Sequence, residues 1–280
     1  MSYQSDSFTK TTTTVDLSSC SSLKTVEIKN CYATFKLSPS VTKASFIQNS
    51  AQYPADLSLA YSLKELRFGH CVSLKLEQSK EWFSQLSNCI NLEKLEMYET
   101  KFVSLEGISE LSKCTKLHTL SAQDYTYNHN IGDLKGLGEL TTLTTLNLGN
   151  RNIKDITELS LLVNLTKLTL DKNDITDVFP LKNLKNLTNL NLANNNIASL
   201  KYLEALTNLE ILNLSGNLIY DTSTYVNQIG ENISYNNLDI IANLNKNNNG
   251  SLQEIYLSDN IGITDFSPIS DLIWRKKSGF

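Results

Sequence analysis

Apolar side chains recur at a fixed spacing of 22 residues between positions 143 and 219. Each period has the pattern L-x-x-L-x-L-x-x-x-x-I, so the same side chains fall in the same four columns. The members of these columns are Leu143, Leu146, Leu148 and Ile153; Leu165, Leu168, Leu170 and Ile175; Leu187, Leu190, Leu192 and Ile197; Leu209, Leu212, Leu214 and Ile219. This internal repeat indicates one structural unit that is stacked several times.

Each period contains two predicted elements. The last two leucines alternate with a polar residue, as in a strand with one buried face, so we expect successive strands to pair in one parallel sheet. Eight residues after the first leucine, Asn173, Asn195 and Asn217 offer amides that can satisfy backbone groups where the chain leaves the sheet. Beyond them, apolar residues at every third position of 175–184 predict a tight helical arc.

The same columns extend, with unequal unit lengths, over most of the chain. We predict eleven units, which start at residues 23, 41, 63, 92, 117, 143, 165, 187, 209, near 230 and 252. Residues 1–11 are predicted to form a polar tail and residues 12–280 a single domain, with regular repeats in 143–227, a degenerate repeat in 228–251 and a last repeat in 252–280. Because one unit buries too little apolar surface to fold alone, the array is expected to be stable only as an array.

Two of the longer units carry insertions that predict distinct features. The unit that starts at residue 63 is 29 residues long, and its extra length predicts a true helix with Phe83, Leu86 and Cys89 inward and Trp82 partly covered on the outer side. In the unit that starts at residue 117, four residues are inserted. They fall in the segment 124–130, which we expect to project beside the concave face of the sheet.

The signature L-x-x-L-x-L-x-x-N-x-I resembles that of leucine-rich repeats. The 22-residue units, with the arc pattern N-x-I-x-D-I-x-x-L in 173–181 where Val178 replaces the second Ile, are similar to the class found in bacterial internalins and in the eukaryotic phosphatase-regulatory leucine-rich repeat protein. The resemblance implies an α/β solenoid, a horseshoe or arc with a concave parallel β-sheet and convex short helices or 3-10 turns. It also implies a non-enzymatic module that holds a protein partner on its concave sheet.

Composition and charge narrow the choice of partner. The net charge of −4 and the pI near 5.5 argue against nucleic acid, because phosphate binding needs a basic surface. No apolar run is long enough for membrane insertion, and the N-terminus has no apolar signal core. We therefore expect a cytoplasmic monomer, or a secreted or cell-surface protein if a signal peptide has been removed.

The residue types that carry catalysis or metal binding fit structural positions. All five cysteines are expected to be buried without disulfides, and Cys89 and Cys114 fall in the same column of adjacent units: Cys20, Cys31, Cys71, Cys89 and Cys114. The histidines are expected at the surface: His70, His118 and His129. No spacing suggests a nucleophile with its base, a metal site or a phosphate-binding glycine loop, so we predict no catalytic residue and no cofactor.

The concave strand positions carry the remaining functional signal. In the first half of the array these positions are charged and aromatic, which is typical of protein interfaces. The predicted partner-binding patch comprises Arg67, His70, Glu96, Tyr98, Asp124, Tyr125 and Tyr127. The alternative interpretation is a solvated strand face.

Three functions remain open at this point. The first is an intracellular recognition or scaffold protein, which the unpaired cysteines favour. The second is a secreted or cell-surface adhesin or host-interaction protein. The third is the recognition region of an enzyme whose catalytic domain lies outside this sequence.

Overall fold

The structure is a computed structural model that describes residues 13–48, 55–70, 76–99, 104–124, 130–226, 232–247, 250 and 252–275. Its strands are β1 (Thr13–Asp16), β2 (Thr25–Lys29), β3 (Ala33–Lys36), β4 (Lys43–Ile47), β5 (Ala55–Asp56), β6 (Glu65–Gly69), β7 (Lys94–Tyr98), β8 (Thr119–Ser121), β9 (Thr145–Asn147), β10 (Lys167–Thr169), β11 (Asn189–Asn191), β12 (Ile211–Asn213), β13 (Thr222–Val226), β14 (Asn232–Asn236) and β15 (Glu254–Tyr256). The α-helices are α1 (Leu76–Leu86), α2 (Asn237–Asn247) and α3 (Ser270–Arg275), and the 3-10 helices are Ile108–Lys113, Leu137–Glu139, Thr157–Leu161, Phe179–Asn183, Leu203–Ala205 and Ser267–Ile269.

Ten strands form one parallel sheet in the order β2-β4-β6-β7-β8-β9-β10-β11-β12-β15. In the regular units, Leu146, Leu168, Leu190 and Leu212 are register partners on neighbouring strands. The predicted single file of leucines is thereby confirmed, and each of these side chains is at most 1% exposed. The apolar columns are buried on one side of the sheet, which leaves its other side free.

Short 3-10 helices cover the core in the regular units. A 3-10 helix has three residues per turn, so apolar residues at every third position all lie on its inner side. The amide of Leu162 donates to the carbonyl of Leu159 at 3.0 Å, and the amide of Leu165 donates to Leu162 at 3.1 Å. Successive column leucines are therefore linked by the same hydrogen bonds that bend the chain back toward the sheet.

The outer layer of the first units differs from the expected helical arcs. Here β1, β3 and β5 form a second parallel sheet. In β3, Ala33 and Phe35 are buried while Thr34 and Lys36 are partly exposed, so the apolar period is two rather than three. The Phe35 ring lies 5.9 Å from the ring of Phe46 on β4, between centroids, which places the core between the two sheets.

The long unit contains the predicted helix. Helix α1 buries Phe83 and Leu86, and Cys89 is buried just beyond its end. The prediction for Trp82 is wrong, because this side chain is only 2% exposed. Its ring packs edge-on against Phe68, with centroids 5.0 Å apart, so the helix turns two adjacent aromatic residues into the core.

The prediction of eleven units is wrong by one strand. Strand β12 pairs directly with β15, and the described residues between them add no strand to the main sheet. Instead, β13 and β14 form an antiparallel hairpin, and α2 packs between the 3-10 helices at 203–205 and 267–269. The inward positions expected at Leu238, Ile241 and Leu244 are confirmed, since α2 buries all three. The predicted tail, residues 1–11, lies outside the described residues.

Candidate functional site

The turn after each regular strand is fixed by a row of buried asparagines. The amide nitrogen of Asn195 donates to the carbonyl of Leu170 in the preceding unit at 3.0 Å and to Leu192 in its own unit at 2.9 Å. Its oxygen accepts the amide of Ile175 at 3.0 Å. The same role is played by Asn173, Asn217 and Asn260. This confirms the predicted use of the asparagine column, and it sets where each strand ends and presents its last side chains.

Arg151 stands in this asparagine column, eight residues after Leu143, and was not singled out from the sequence. Its Nε donates to the carbonyl of Ala122, in the place of an asparagine amide. The charge is buried, which lowers the pKa of Arg151 to about 10, and the nearby carboxylate of Asp124 opposes that shift. The Nη1 to Oδ2 distance is 3.7 Å, and both side chains are fully buried.

The burial of Asp124 corrects one member of the predicted patch. A carboxylate that is 0% exposed cannot contact a partner on the sheet surface, so the expectation that Asp124 is exposed is wrong. The physical reason is the cation at position 151, which draws the carboxylate inward. Tyr125 and Tyr127 lie outside the described residues, so their part in the patch stays a prediction.

The other four predicted residues lie together on β6, β7 and the turns that follow them. Arg67 on β6 is the register partner of Glu96 on β7, and their Nε and Oε2 atoms are 3.9 Å apart. The Arg67 guanidinium lies 4.6 Å from the centroid of the Tyr98 ring. His70 meets the same ring edge-on at 6.1 Å between centroids. We call Arg67, His70, Glu96 and Tyr98 the aromatic–charged patch.

Gly69 gives the Tyr98 ring its place in this patch. Gly69 is the register partner of Tyr98, and the ring lies across its Cα. A Cβ at residue 69 would stand 2.6 Å from the Tyr98 hydroxyl oxygen, so any other residue would displace the ring. The turn behind it is held by His70, whose Nε2 lies 2.5 Å from the Glu99 carboxylate. The ring is thus positioned before any partner arrives.

Ion pairs surround the patch on the first four concave strands. Lys43 and Glu65 are 2.7 Å apart, and this contact raises the pKa of Lys43 and lowers the pKa of Glu65. Lys94 approaches Glu96 at 2.9 Å. Lys29 contacts Glu27 at 3.0 Å, which lowers the pKa of the Glu27 carboxyl. Lysines and glutamates therefore alternate on this surface, and each lysine is held by contact with a carboxylate.

The second half of the concave face uses its amides internally. Asn147, Asn191 and Asn213 each accept the amide two residues further on at 3.1 Å. The amide nitrogen of Asn147 also donates to Gln123 Oε1 at 2.7 Å. Burial raises the pKa of the Asp171 carboxyl, which stands on the same face. These hydrogen bonds hold the chain where it leaves each strand. They leave fewer polar groups for a partner than the first half of the concave face does.

The cysteines follow the prediction only in part. Burial raises the pKa of Cys89 to about 12 and of Cys114 to about 11, as expected for buried thiols. Cys20 is exposed and Cys31 half-buried, so the expectation of five buried cysteines is wrong. Cys71 lies outside the described residues, as does His129, while His70 and His118 are exposed as predicted.

The described part of the chain presents neither a cluster of metal-ligating side chains nor a membrane-spanning helix. No group of three or more His, Cys, Asp or Glu side chains is arranged to hold a metal ion there. Within the same ranges, no helix has the length and apolar character that crossing a membrane requires.

Sequence comparison identifies the repeat. A family model for leucine-rich repeats, built of two copies, matches residues 163–202 and 185–227. The chain has the leucine-rich repeat fold. No curated protein sequence matches the chain. The family match falls on the regular units, where the four apolar columns and the asparagine column are complete.

Solved structures show the same fold. An internalin (inlF) of Listeria monocytogenes has 23% identity and a TM-score of 0.61 over 84% of this chain. An internalin C2 of the same species has 29% identity and a TM-score of 0.53 over 67% of this chain and 70% of its own. A leucine-rich repeat protein of Leptospira interrogans has 20% identity and a TM-score of 0.55 over 86% of this chain and 68% of its own. The chain spans 66% of the first of these, just under two thirds.

Proposed function

We propose that this leucine-rich repeat solenoid is a non-enzymatic recognition module that docks a protein partner on its concave face, at the aromatic–charged patch. Leucine-rich repeat folds are typical of protein-interaction modules. The observation that carries the proposal is the Tyr98 ring, which is seated on Gly69 and stacked by Arg67. Aromatic and arginine side chains that are ordered in advance lose little entropy on binding and are the common anchors of interfaces.

Exposure supports the same assignment. The side chains of Arg67 and His70 are 52% and 43% exposed, and Glu96 is 30% exposed. Arg67 and Glu96 lie on strands of the sheet, and His70 lies in the turn directly after β6, so a partner meets a preformed surface. Tyr125 and Tyr127, four and six residues after Ser121 of β8, are proposed to extend the patch along the concave side.

The test compares the patch with matched residues on the same sheet. A double variant Arg67→Ala/Tyr98→Ala removes the anchors, while Lys167→Ala/Tyr256→Ala removes a cation and an exposed tyrosine from β10 and β15. Proteins captured by the wild-type chain are identified and their affinities measured with each purified variant. We expect a loss of about 100-fold or more for the patch variant and less than about threefold for the control.

Two results would overturn the proposal. One is equal affinity of the wild-type chain and the patch variant for every captured protein. The other is an equal loss for the patch and control variants. A third variant, Gly69→Ala, keeps all four side chains but displaces the Tyr98 ring, and is expected to weaken binding if the position of the ring is what matters. Circular dichroism and thermal unfolding check that each variant is folded.

We propose that the module works inside the cell, as a monomer in which residues 12–280 act as one domain. The four cysteines within the described residues are free and one of them is exposed, which supports a reducing compartment. The second candidate, a secreted or cell-surface recognition protein, is favoured by the likeness to the two Listeria internalins. Cell fractionation separates the two, and light scattering of the purified chain tests the monomer.

A further inference from the structure

A cavity of about 230 Å³ opens on the concave face beside the aromatic–charged patch. It lies over one column of register partners that crosses the first four strands: Glu27, Ser45, Arg67 and Glu96. The depression forms because Ser45 is short while its neighbours on both sides are long. A second column, which starts with Thr25 and continues through Lys43, Glu65 and Lys94, closes one side of the cavity.

The charges around this cavity do not cancel. Three cations and three carboxylates line it, namely Lys43, Arg67 and Lys94 with Glu27, Glu65 and Glu96, and a fourth cation, Lys29, lies outside the lining as the partner of Glu27. Each lysine has a carboxylate at 3.0 Å or less. Among the described residues, the carboxylate contact of Arg67 is the longer one of 3.9 Å to Glu96, which Lys94 already approaches at 2.9 Å. The excess positive charge therefore resides on the guanidinium.

The position of Arg67 suits a planar anion. Stacking on the Tyr98 ring holds the guanidinium at 4.6 Å from the centroid, while half of the side chain is open to solvent. A guanidinium presents paired N–H donors that match the two oxygens of a carboxylate. Three carboxylates in the walls disfavour a dianion such as a phosphate monoester, whereas one negative charge balances the excess.

We propose that this cavity receives an aspartate or glutamate side chain of the protein partner, bound by the Arg67 guanidinium. The volume fits this assignment, because small-molecule sites are typically ~300–1,000 Å³ and one side chain with a few waters needs less. The inference rests on the proposed function and adds to it the chemistry of the partner. The carboxylate lies next to Tyr98, so charge recognition and the aromatic anchor act on one segment.

The test uses random 12-residue peptides displayed on phage and selected on the full chain. We expect aspartate or glutamate to be enriched at one position of the selected peptides. For each peptide, a synthetic copy with that residue changed to the amide is compared with the original. The amide copy is expected to bind the wild-type chain about tenfold more weakly or worse, as is the original peptide on Arg67→Gln.

Three chain variants complete the design. Because the two changes break the same contact, the amide copy and the original should bind Arg67→Gln with nearly equal affinity. The charge reversal Arg67→Glu is expected to select peptides with lysine or arginine at that position. Lys167→Gln, a cation removed from β10 on the same face, is the control and should leave the affinity of the acidic peptides within about twofold.

Failure of the inference differs from failure of the proposed function. Peptides that lose affinity with Tyr98→Ala but show no acidic enrichment and tolerate Arg67→Gln would overturn the carboxylate site and leave the docking surface standing. Peptides that bind equally to the wild-type chain and to Arg67→Ala/Tyr98→Ala would overturn both. Selection of no peptide above the level of that double variant would also contradict both.

Discussion

The buried pair of Arg151 and Asp124 results from one substitution in the asparagine column. An asparagine satisfies the turn with neutral hydrogen bonds, whereas arginine brings a charge that must be compensated where water is excluded. Asp124 lies one strand away, at the end of β8, and supplies that compensation. Asp124 is the first residue of the segment 124–130 that contains the insertion. Its contact with Arg151 thus joins the start of this segment to the array.

Replacing one member of this pair is expected to cost more stability than replacing both members. Asp124→Asn leaves the Arg151 charge buried and should lower the free energy of unfolding by about 3–5 kcal/mol. Adding Arg151→Asn restores the amide that donates to Ala122, so the double variant should be more stable than Asp124→Asn alone. Urea unfolding of the wild type, both single variants and the double variant measures the coupling. Strictly additive effects would contradict the pairing.

Asp171 offers a pH test on the concave face. Burial raises the pKa of its carboxyl above the ordinary 3.8, so the folded protein binds a proton that the unfolded chain has already released. The charged carboxylate therefore costs stability at pH 7. Asp171→Asn should raise the free energy of unfolding at neutral pH, and the gain should fade as the pH drops through the raised pKa toward 3.8.

The matched control for Asp171 is Asp174→Asn, which removes the same charge three residues further along the chain. Unfolding midpoints of both variants are measured between pH 3 and pH 8. An equal gain in the control would assign the effect to net charge rather than to burial of Asp171. A gain of Asp171→Asn that is unchanged at pH 3 would contradict the raised pKa.

At the residue scale, sequence reasoning succeeds where a side chain stays in its column. Arg67, His70, Glu96 and Tyr98 were placed together because the register of adjacent strands follows from the repeat. The position of Asp124 did not follow, because its partner is 27 residues away and belongs to a column that asparagine usually fills. Extending the asparagine column back by one unit would have pointed to Arg151.

The strands and turns of the regular units form one hydrogen-bonded element. Each column asparagine links two units through its amide nitrogen and a third backbone group through its oxygen. The sequence predicted this element well because every unit repeats it. The outer layer was harder to predict, since ATFKL in 33–37 has an apolar period of two and forms β3, while the regular arcs have a period of three.

Asn195→Ala tests this element. The change leaves the amide of Ile175 without its side-chain partner and removes one of the two side-chain donors from the carbonyls of Leu170 and Leu192, which keep Asn173 and Asn217. The buried Ile175 amide costs about 1–3 kcal/mol without a partner, and the two lost hydrogen bonds to carbonyls add about 1 kcal/mol each, so we expect a loss of about 3 kcal/mol or more in the free energy of unfolding. Asn196→Ala removes an exposed amide next to it and is the control. Equal losses in the two variants would contradict the role of the column.

The number of units shows the limit of column counting at the element scale. The segment 222–247 has the length of one unit, but residues 222–236 lack the leucine columns. They pair with each other as β13 and β14, and the buried apolar side chains come from α2, while Tyr235 of β14 is partly buried against the core. Strands β12 and β15 pair directly with each other. The main sheet is therefore continuous past a unit that lacks the leucine columns of its strand.

In the whole molecule, most stability is expected to come from contacts between neighbouring units. Strands β9 to β11 each have a paired strand on both sides, and their column leucines are at most 1% exposed. Strand β2 has a paired strand on one side only within the described residues, and Leu23 beside it is only partly buried. This difference explains why Cys20, in a column that is buried elsewhere, is exposed.

Hydrogen exchange should therefore show a gradient along the solenoid. In a nearest-neighbour array, opening an end unit breaks one interface and opening an inner unit breaks two. Amides of β10 and β11 are expected to exchange on the order of 100-fold more slowly than those of β2, which corresponds to ~3 kcal/mol of additional opening free energy. Asn195→Ala should speed exchange in β10 and β11 and leave β4 nearly unchanged, because the lost hydrogen bonds join only adjacent units. Equal rates from β2 to β11, or an Asn195→Ala effect spread evenly over the sheet, would show that the array opens as a single unit and would contradict stabilisation by local interfaces.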